Sequence, residues 1–215
     1  MESFSNRAGK AVVLAMVDAI QQNAAYLSEI DGAIGDGDHG INMNKGFTRA
    51  GQQIDGQDEG NLASGLNTLG DTLFTDIGGA MGPLYGSMFM DMAEQAQGKE
   101  DIDAATYGLM LEAALSAVRG LGEARVGDKT LLDTLVPAEG AFKAALAEGA
   151  GFSAALDAMI EAAYAGWQST RDLVAKIGRA SRLGERSRGH LDAGATSCYL
   201  ILQAMGTQMQ ELLRS

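Results

Sequence analysis

Cysteine is nearly absent from this chain. Cys198 stands alone among 215 residues, which excludes an internal disulfide and suits a reducing compartment. Long apolar runs are also missing: no stretch approaches the roughly 18 consecutive apolar residues of a membrane span. The first ten residues, MESFSNRAGK, lack the charged-then-apolar order of a secretory signal, so a cytoplasmic location is expected. Cations are scarce, with 16 Lys and Arg against 28 Asp and Glu and a formal charge of −12. That field repels a polyanion and excludes nucleic acid as the expected partner.

Alanine, leucine and methionine are plentiful and favour helix. Against them stand 29 glycines, each of which costs about 0.5–1 kcal/mol relative to alanine inside a helix. The conflict eases because many glycines fall in four runs, at 32–40, 78–86, 120–127 and 178–194. Between the runs, apolar residues recur at helical spacing. The spacing predicts eight helices, at about 5–27, 40–54, 59–77, 80–97, 103–121, 128–148, 153–177 and 194–213. Pro83 fits a first helical turn, whereas Pro137 should kink or split the sixth helix. Ser153 is the expected N-cap of the seventh. No alternating strand pattern and no internal repeat appears, and residues 1–215 read as one domain.

Helices joined by short loops pack as antiparallel neighbours. The glycine runs follow the first, third, fifth and seventh helices, so all four should gather at one end of the molecule. That geometry turns scattered motifs into a single expected site.

The first run reads IGDGDHGIN, with Asp31 just upstream of Asp36 and Asp38. Three carboxylates this close repel one another unless a cation offsets them. Carboxylate oxygens are hard ligands that suit magnesium, which completes its shell with water and substrate phosphates. The plainer reading is a polar turn with an N-cap aspartate. An EF-hand is excluded, because the fifth and twelfth positions counted from Asp36 are Gly40 and Phe47. His39 and Asn42 fit either a phosphate contact or a helix cap. A helix beginning at Gly40 offers free N–H groups to an anion. The run IGGAMGPLYG (77–86) allows close backbone approach to a ligand, or simply a tight turn. GEARVGDKT (122–130) falls short of a phosphate-binding P-loop, since Asp128 separates Gly127 from Lys129 and no strand precedes it. The last run carries Lys176, Arg179, Arg182, Arg186 and Arg188, a basic cluster in an acidic protein. It suits phosphate recognition, an acidic partner or a solvated loop; its length beyond a usual helix–helix connection favours a role in binding. The methionines Met88, Met92, Met205 and Met209 read as core filler.

Taken together, IGDGDHGINMNKGF, GGAMGPLYG, GDKTLLD, VP and GRASRLGERSRGHLDAGATS resemble, in order and spacing, the L subunit of dihydroxyacetone kinases and the matching domain of single-chain dihydroxyacetone kinases. The resemblance runs nearly end to end. It implies an all-α fold, a closed barrel of eight antiparallel helices in up-and-down order. It places two magnesium ions on Asp31, Asp36 and Asp38. It places ADP or ATP against His39, Gly40, Ile41, Asn42, Ala80, Met81, Gly122, Leu131, Arg179, Asp192, Ala193 and Gly194. Asp31, Asp36, Asp38 and Arg179 become the catalytic set. Two departures stand out: many members have serine at Met81, and some have proline at Ala193. The resemblance also implies a phosphoryl-transfer role toward dihydroxyacetone or a similar short ketose, held covalently on a histidine of a separate K subunit. Either free ATP or a resident ADP recharged by a phosphohistidine carrier (the M subunit) would serve as donor, and a homodimer is compatible with both. A nucleotide-loaded regulatory module that binds a transcription factor or another kinase is the alternative, with a metal-dependent hydrolase behind it.

Overall fold

Apolar spacing of three and four residues gives most of the chain one oily stripe per helix, and those stripes meet in one core. The computed structural model describes residues 2–215. Among them are nine α-helices: α1 (Lys10–Gln22), α2 (Ala24–Ile34), α3 (His39–Asp55), α4 (Leu62–Asp76), α5 (Met81–Ala96), α6 (Ala104–Gly120), α7 (Leu132–Ala147), α8 (Phe152–Ser169) and α9 (Ala193–Arg214). Two 3-10 segments, Thr170–Asp172 and Arg179–Ser187, lie between α8 and α9. The core joins side chains from all nine helices, including Leu27 of α2 and Phe47, Phe89, Phe142 and Phe152. Met88, Met92, Met205 and Met209 are buried in it, as filler. No helix among the described residues is long and apolar enough to cross a membrane.

Packing follows the chain. α3 lies against α1 and α4, each later helix lies against the next, and α9 packs back against α1, while α2 rests on α3 and α9.

The helix count differs from the expected eight because the first helix is two. Asn23 ends α1, its side-chain amide donating to the Ala19 carbonyl at 2.8 Å, and α2 begins at the next residue. Such side chains compete with the helix ladder for backbone groups. The expected 153–177 helix also stops early, at Ser169. Ser169 and Thr170 hydroxyls donate to the Gly166 and Trp167 carbonyls, each at 2.7 Å, and the chain then turns away. Ser153 is not the N-cap of α8; Gly151 holds that position, and the Ser153 N–H donates instead to Glu2 Oε2 at 3.1 Å. Pro137 neither splits nor ends its helix. It sits in the second turn, where the only bond it removes is to Asp133 near the helix start. α8 passes close by there through Gly166, which a Cβ would drive into the Asp133 carbonyl.

A small ribbon was not expected: β1 (Ser3–Ser5) pairs antiparallel with β2 (Asp101–Asp103), setting buried Phe4 opposite Ile102. Three residues are too few for alternation to register in the sequence.

Candidate functional site

α3, α5, α7 and α9 all begin at the same end of the molecule, around a cleft of about 490 Å³. Residues from the first, second and last glycine runs line it. The 120–127 run stays outside, and the residues that follow it, Lys129 to Leu131, form that part of the wall.

The acidic wall comes from the end of α2 and the turn into α3. Gly37, at φ 76°, lets the chain reverse between Asp36 and Asp38. One oxygen from each of Asp31, Asp36 and Asp38 can be chosen so that all three lie within 4.8 Å of one another. Asp38 occupies the N-cap position of α3, yet its side chain accepts no capping hydrogen bond. The plain N-cap reading therefore does not describe it. Asp31 instead accepts from the His39 N–H, at 3.3 Å. The Arg179 guanidinium, reaching over from the last run, pairs with the Asp36 carboxylate. α3 can enter so close because residue 40 is glycine: a Cβ there would strike the Ala24 carbonyl oxygen.

Behind the acidic wall lies a buried relay. His39 Nε2 is 2.9 Å from Ser197 Oγ, and Ser197 Oγ is 2.6 Å from the Tyr85 hydroxyl. Both hydroxyls also reach the Gly194 carbonyl, at 3.1 Å. Burial lowers the His39 pKa to about 4, against the opposing pull of Asp31. The ring is therefore neutral near pH 7, a polar group without charge of its own.

The other walls are built from helix beginnings. Ala80 and Met81 start α5, Leu131 precedes α7, and Ala193 and Gly194 start α9; all five line the cleft, with Asn42 from the first turn of α3. Neither α3 nor α5 is capped by its N-cap side chain; Asp31 takes the His39 N–H of α3, and the first N–H groups of α5 remain available. Each start carries a partial positive charge, and together they favour an anion. Asp192 caps α9 through the Ala195 N–H, at 2.7 Å. Its carboxyl is pushed up to about 7, first by burial and then by the nearby Asp133 carboxylate, with the Ala195 bond opposing.

Gly40 and Ile41 do not line the cleft: Gly40 is packed against α2, and the Ile41 side chain is exposed. Gly122 lies exposed on the loop after α6. His190 is also exposed, contributing only its carbonyl to an internal bond.

Four polar residues of this end escape a reading of the sequence. Tyr85 and Ser197 sit in the quoted runs, but nothing local marks them as partners. Asp133 accepts from the Gly127 N–H at 2.5 Å and the Thr130 N–H at 2.7 Å, fixing the turn into α7. Lys129, part of the failed P-loop pattern, is 2% exposed and lines the cleft's inner edge.

The donor set fits magnesium: three clustered carboxylates, all hard oxygen ligands, beside helix starts able to hold phosphate. The cleft volume lies in the range of small-molecule sites.

A family profile described as the DAK2 domain matches residues 33–207. The chain is 39% identical to the PEP-dependent dihydroxyacetone kinase 1, ADP-binding subunit DhaL, of Listeria innocua serovar 6a, over 87% of this chain and 89% of that one. It is 34% identical to the PEP-dependent dihydroxyacetone kinase, ADP-binding subunit DhaL, of Escherichia coli K12, over 90% and 92%. Among solved structures, the dihydroxyacetone kinase from C. freundii in complex with AMP-PNP and Mg2+ superposes with a TM-score of 0.67 at 22% identity. It covers 92% of this chain and 33% of its own.

Proposed function

The chain belongs to the DAK2 domain family, and from that premise we propose that it is the ADP-binding, phosphoryl-transferring subunit of a dihydroxyacetone kinase. The observation that carries the reading is the meeting, in one cleft, of the Asp31–Asp36–Asp38 cluster with uncapped helix starts. Those are the parts phosphoryl transfer needs, because its catalysis is mostly positioning and charge stabilisation. Asp31, Asp36 and Asp38 would hold magnesium, two ions in this reading. Bound there, magnesium would offset the charge of the phosphate.

The chain's own residues do the rest. The free N–H groups opening α5 receive phosphate oxygens. Neutral His39, backed by Ser197 and Tyr85, offers a ring nitrogen without adding charge. Arg179 exchanges Asp36 for the transferring phosphoryl group and stabilises its charge. Asn42, Ala80, Met81, Leu131 and Asp192 to Gly194 wall the nucleotide. Gly40 acts by letting α3 close on α2, and Ile41 and Gly122 would meet nucleotide only at the rim. No step in this reading needs a covalent nucleophile. The ketose, dihydroxyacetone or a short relative, would arrive on a separate subunit. Relatives named as PEP-dependent support a resident ADP recharged by a phosphohistidine carrier. The packing of α9 back against α1 supports reading the helical ring as a closed barrel.

Titrating Mg-ADP calorimetrically into nucleotide-free protein tests the reading. Binding is expected, with a stabilisation of about 2.7 kcal/mol at 100 times Kd. No heat and no rise in Tm would overturn it. ADP retained through dialysis marks the resident-nucleotide form, whereas steady turnover with ATP and the ketose-carrying subunit alone marks the other.

A further inference from the structure

Lys129 sits at a junction that neither the carboxylates nor the helix starts explain. It is the one non-glycine residue with positive φ among the described residues, at 65°. Holding a side chain in that conformation is strained and persists only where the surroundings require it. What requires it is the ammonium group. Nζ lies 2.8 Å from the Thr170 carbonyl, 3.2 Å from Leu173, 2.8 Å from Ser187 and 2.5 Å from His190. An ammonium has three N–H donors, so all are engaged and one is shared. No carboxylate pairs with it; the charge is held by carbonyl dipoles from both flanks of a single segment.

That segment, 170–191, holds no α-helix, only the two 3-10 segments Thr170–Asp172 and Arg179–Ser187. It carries Ile177, Gly178, Arg179 and Ala180 into the cleft and hands the chain to Asp192. The backbone of Lys129 meanwhile leads straight into Thr130 and Leu131 on the facing wall. Other bonds tighten the same knot. The Ser187 hydroxyl accepts from the Ala175 N–H at 2.9 Å, and the Lys176 N–H donates to the Asp128 carbonyl at 3.1 Å.

We propose that Lys129 is a positioning residue: an internal cation that ties the 170–191 segment to the start of α7 and so sets where Arg179 stands over the nucleotide phosphates. The inference rests on the nucleotide-binding reading above. It explains why a lysine is buried here with carbonyls and no carboxylate as its partners. Removing the charge leaves the Leu173, Ser187 and His190 carbonyls without a donor, since only Thr170 keeps a second one in the Leu173 N–H, so the segment must open to hydrate them.

A double-mutant cycle tests it. Alone, Arg179→Ala should weaken Mg-ADP binding about tenfold, the loss of one charge-assisted contact. Lys129→Met should weaken it at least as much, and Arg179→Ala added to Lys129→Met should cost little more. Trypsin should cut Lys129→Met faster than wild type after Arg179, Arg182 and Arg186. Asn6→Ala, which loosens the far end of the molecule, is the control for a purely structural effect. It should change neither the Mg-ADP affinity nor cleavage in this segment. Should Lys129→Met not fold, Ser187→Ala loosens the same knot and enters the same cycle, with coupling to Arg179→Ala again expected. Additive effects of the two substitutions, or unchanged cleavage, would overturn the proposal while the nucleotide reading stands. Wild-type protein that does not bind Mg-ADP would overturn both.

Discussion

At the end of the molecule where α1, α4, α6 and α8 begin, the protein finishes all of these helices but α1, which starts after Gly9, with its own side chains. Asn61 and Ser64 form a capping box on α4, with the Ser64 N–H donating to Asn61 at 2.8 Å. Asp103 accepts from the Thr106 N–H, also at 2.8 Å, and Glu2 accepts from the start of α8. Buried Asn6 spends its amide on the Ala96 and Lys99 carbonyls and its oxygen on the Ala63 N–H. At the cleft end, α3 and α5 begin with no side-chain cap, although an aspartate occupies the N-cap position of α3. A cap contributes about 1 kcal/mol, so leaving two helices open forgoes stability that the other end takes. Carboxylates gather there as well, where they repel. The contrast is that of one end whose helix starts are mostly capped and another that leaves helix starts uncapped beside clustered carboxylates.

Substitutions at the two ends should therefore fail in different ways. The largest effect belongs to Asp38→Asn or Asp36→Asn. Either should abolish Mg-ADP binding in calorimetry, and with it the ligand-induced stabilisation, while circular dichroism shows unchanged helix content. Next comes Asn6→Ala. It leaves several buried backbone groups unpaired and should cost about 2–4 kcal/mol in urea unfolding, with the Mg-ADP Kd unchanged. Smaller again is Asn61→Ala, about 1 kcal/mol for the lost cap, likewise without effect on binding. A binding loss from Asn61→Ala, or a stability loss from Asp38→Asn comparable to that of Asn6→Ala, would dissolve the distinction between the ends.

How much of this was legible in the sequence depends on how local each feature is. Asp31, Asp36 and Asp38 lie within eight positions, so spacing alone brought them together. The stripes of α4, α5 and α9 were likewise plain, because burial repeats along them. Features made by distant partners were not. Tyr85 meets Ser197 across 112 positions, and Lys129 finds its carbonyls 41 to 61 residues away. Each looks ordinary in its own neighbourhood. The end of α8 is hidden for the same reason: apolar spacing continues through Val174, but the Thr170 and Leu173 carbonyls also turn to the distant Lys129 ammonium. Asn23 broke a helix whose periodicity carries on across it, a local competition that spacing cannot register.

The smallest expected effect concerns Asp192, the one capping carboxylate at the open end. Its folded pKa is raised from 3.8 to about 7, mainly by burial. Between those values the folded protein holds a proton that the unfolded chain has released. Stability from this group is therefore full below about pH 3.8 and declines as pH rises through 7. Asp192→Asn keeps an oxygen to cap Ala195 and cannot titrate. Without magnesium or nucleotide, wild type should thus lose stability relative to Asp192→Asn between pH 4 and 7, with a slope below about 1.4 kcal/mol per pH unit. Urea unfolding of both proteins across that window measures the difference. A constant gap would mean that the open end hydrates Asp192 as fully as the unfolded chain does. The contrast between the ends would then rest on the uncapped starts of α3 and α5 alone.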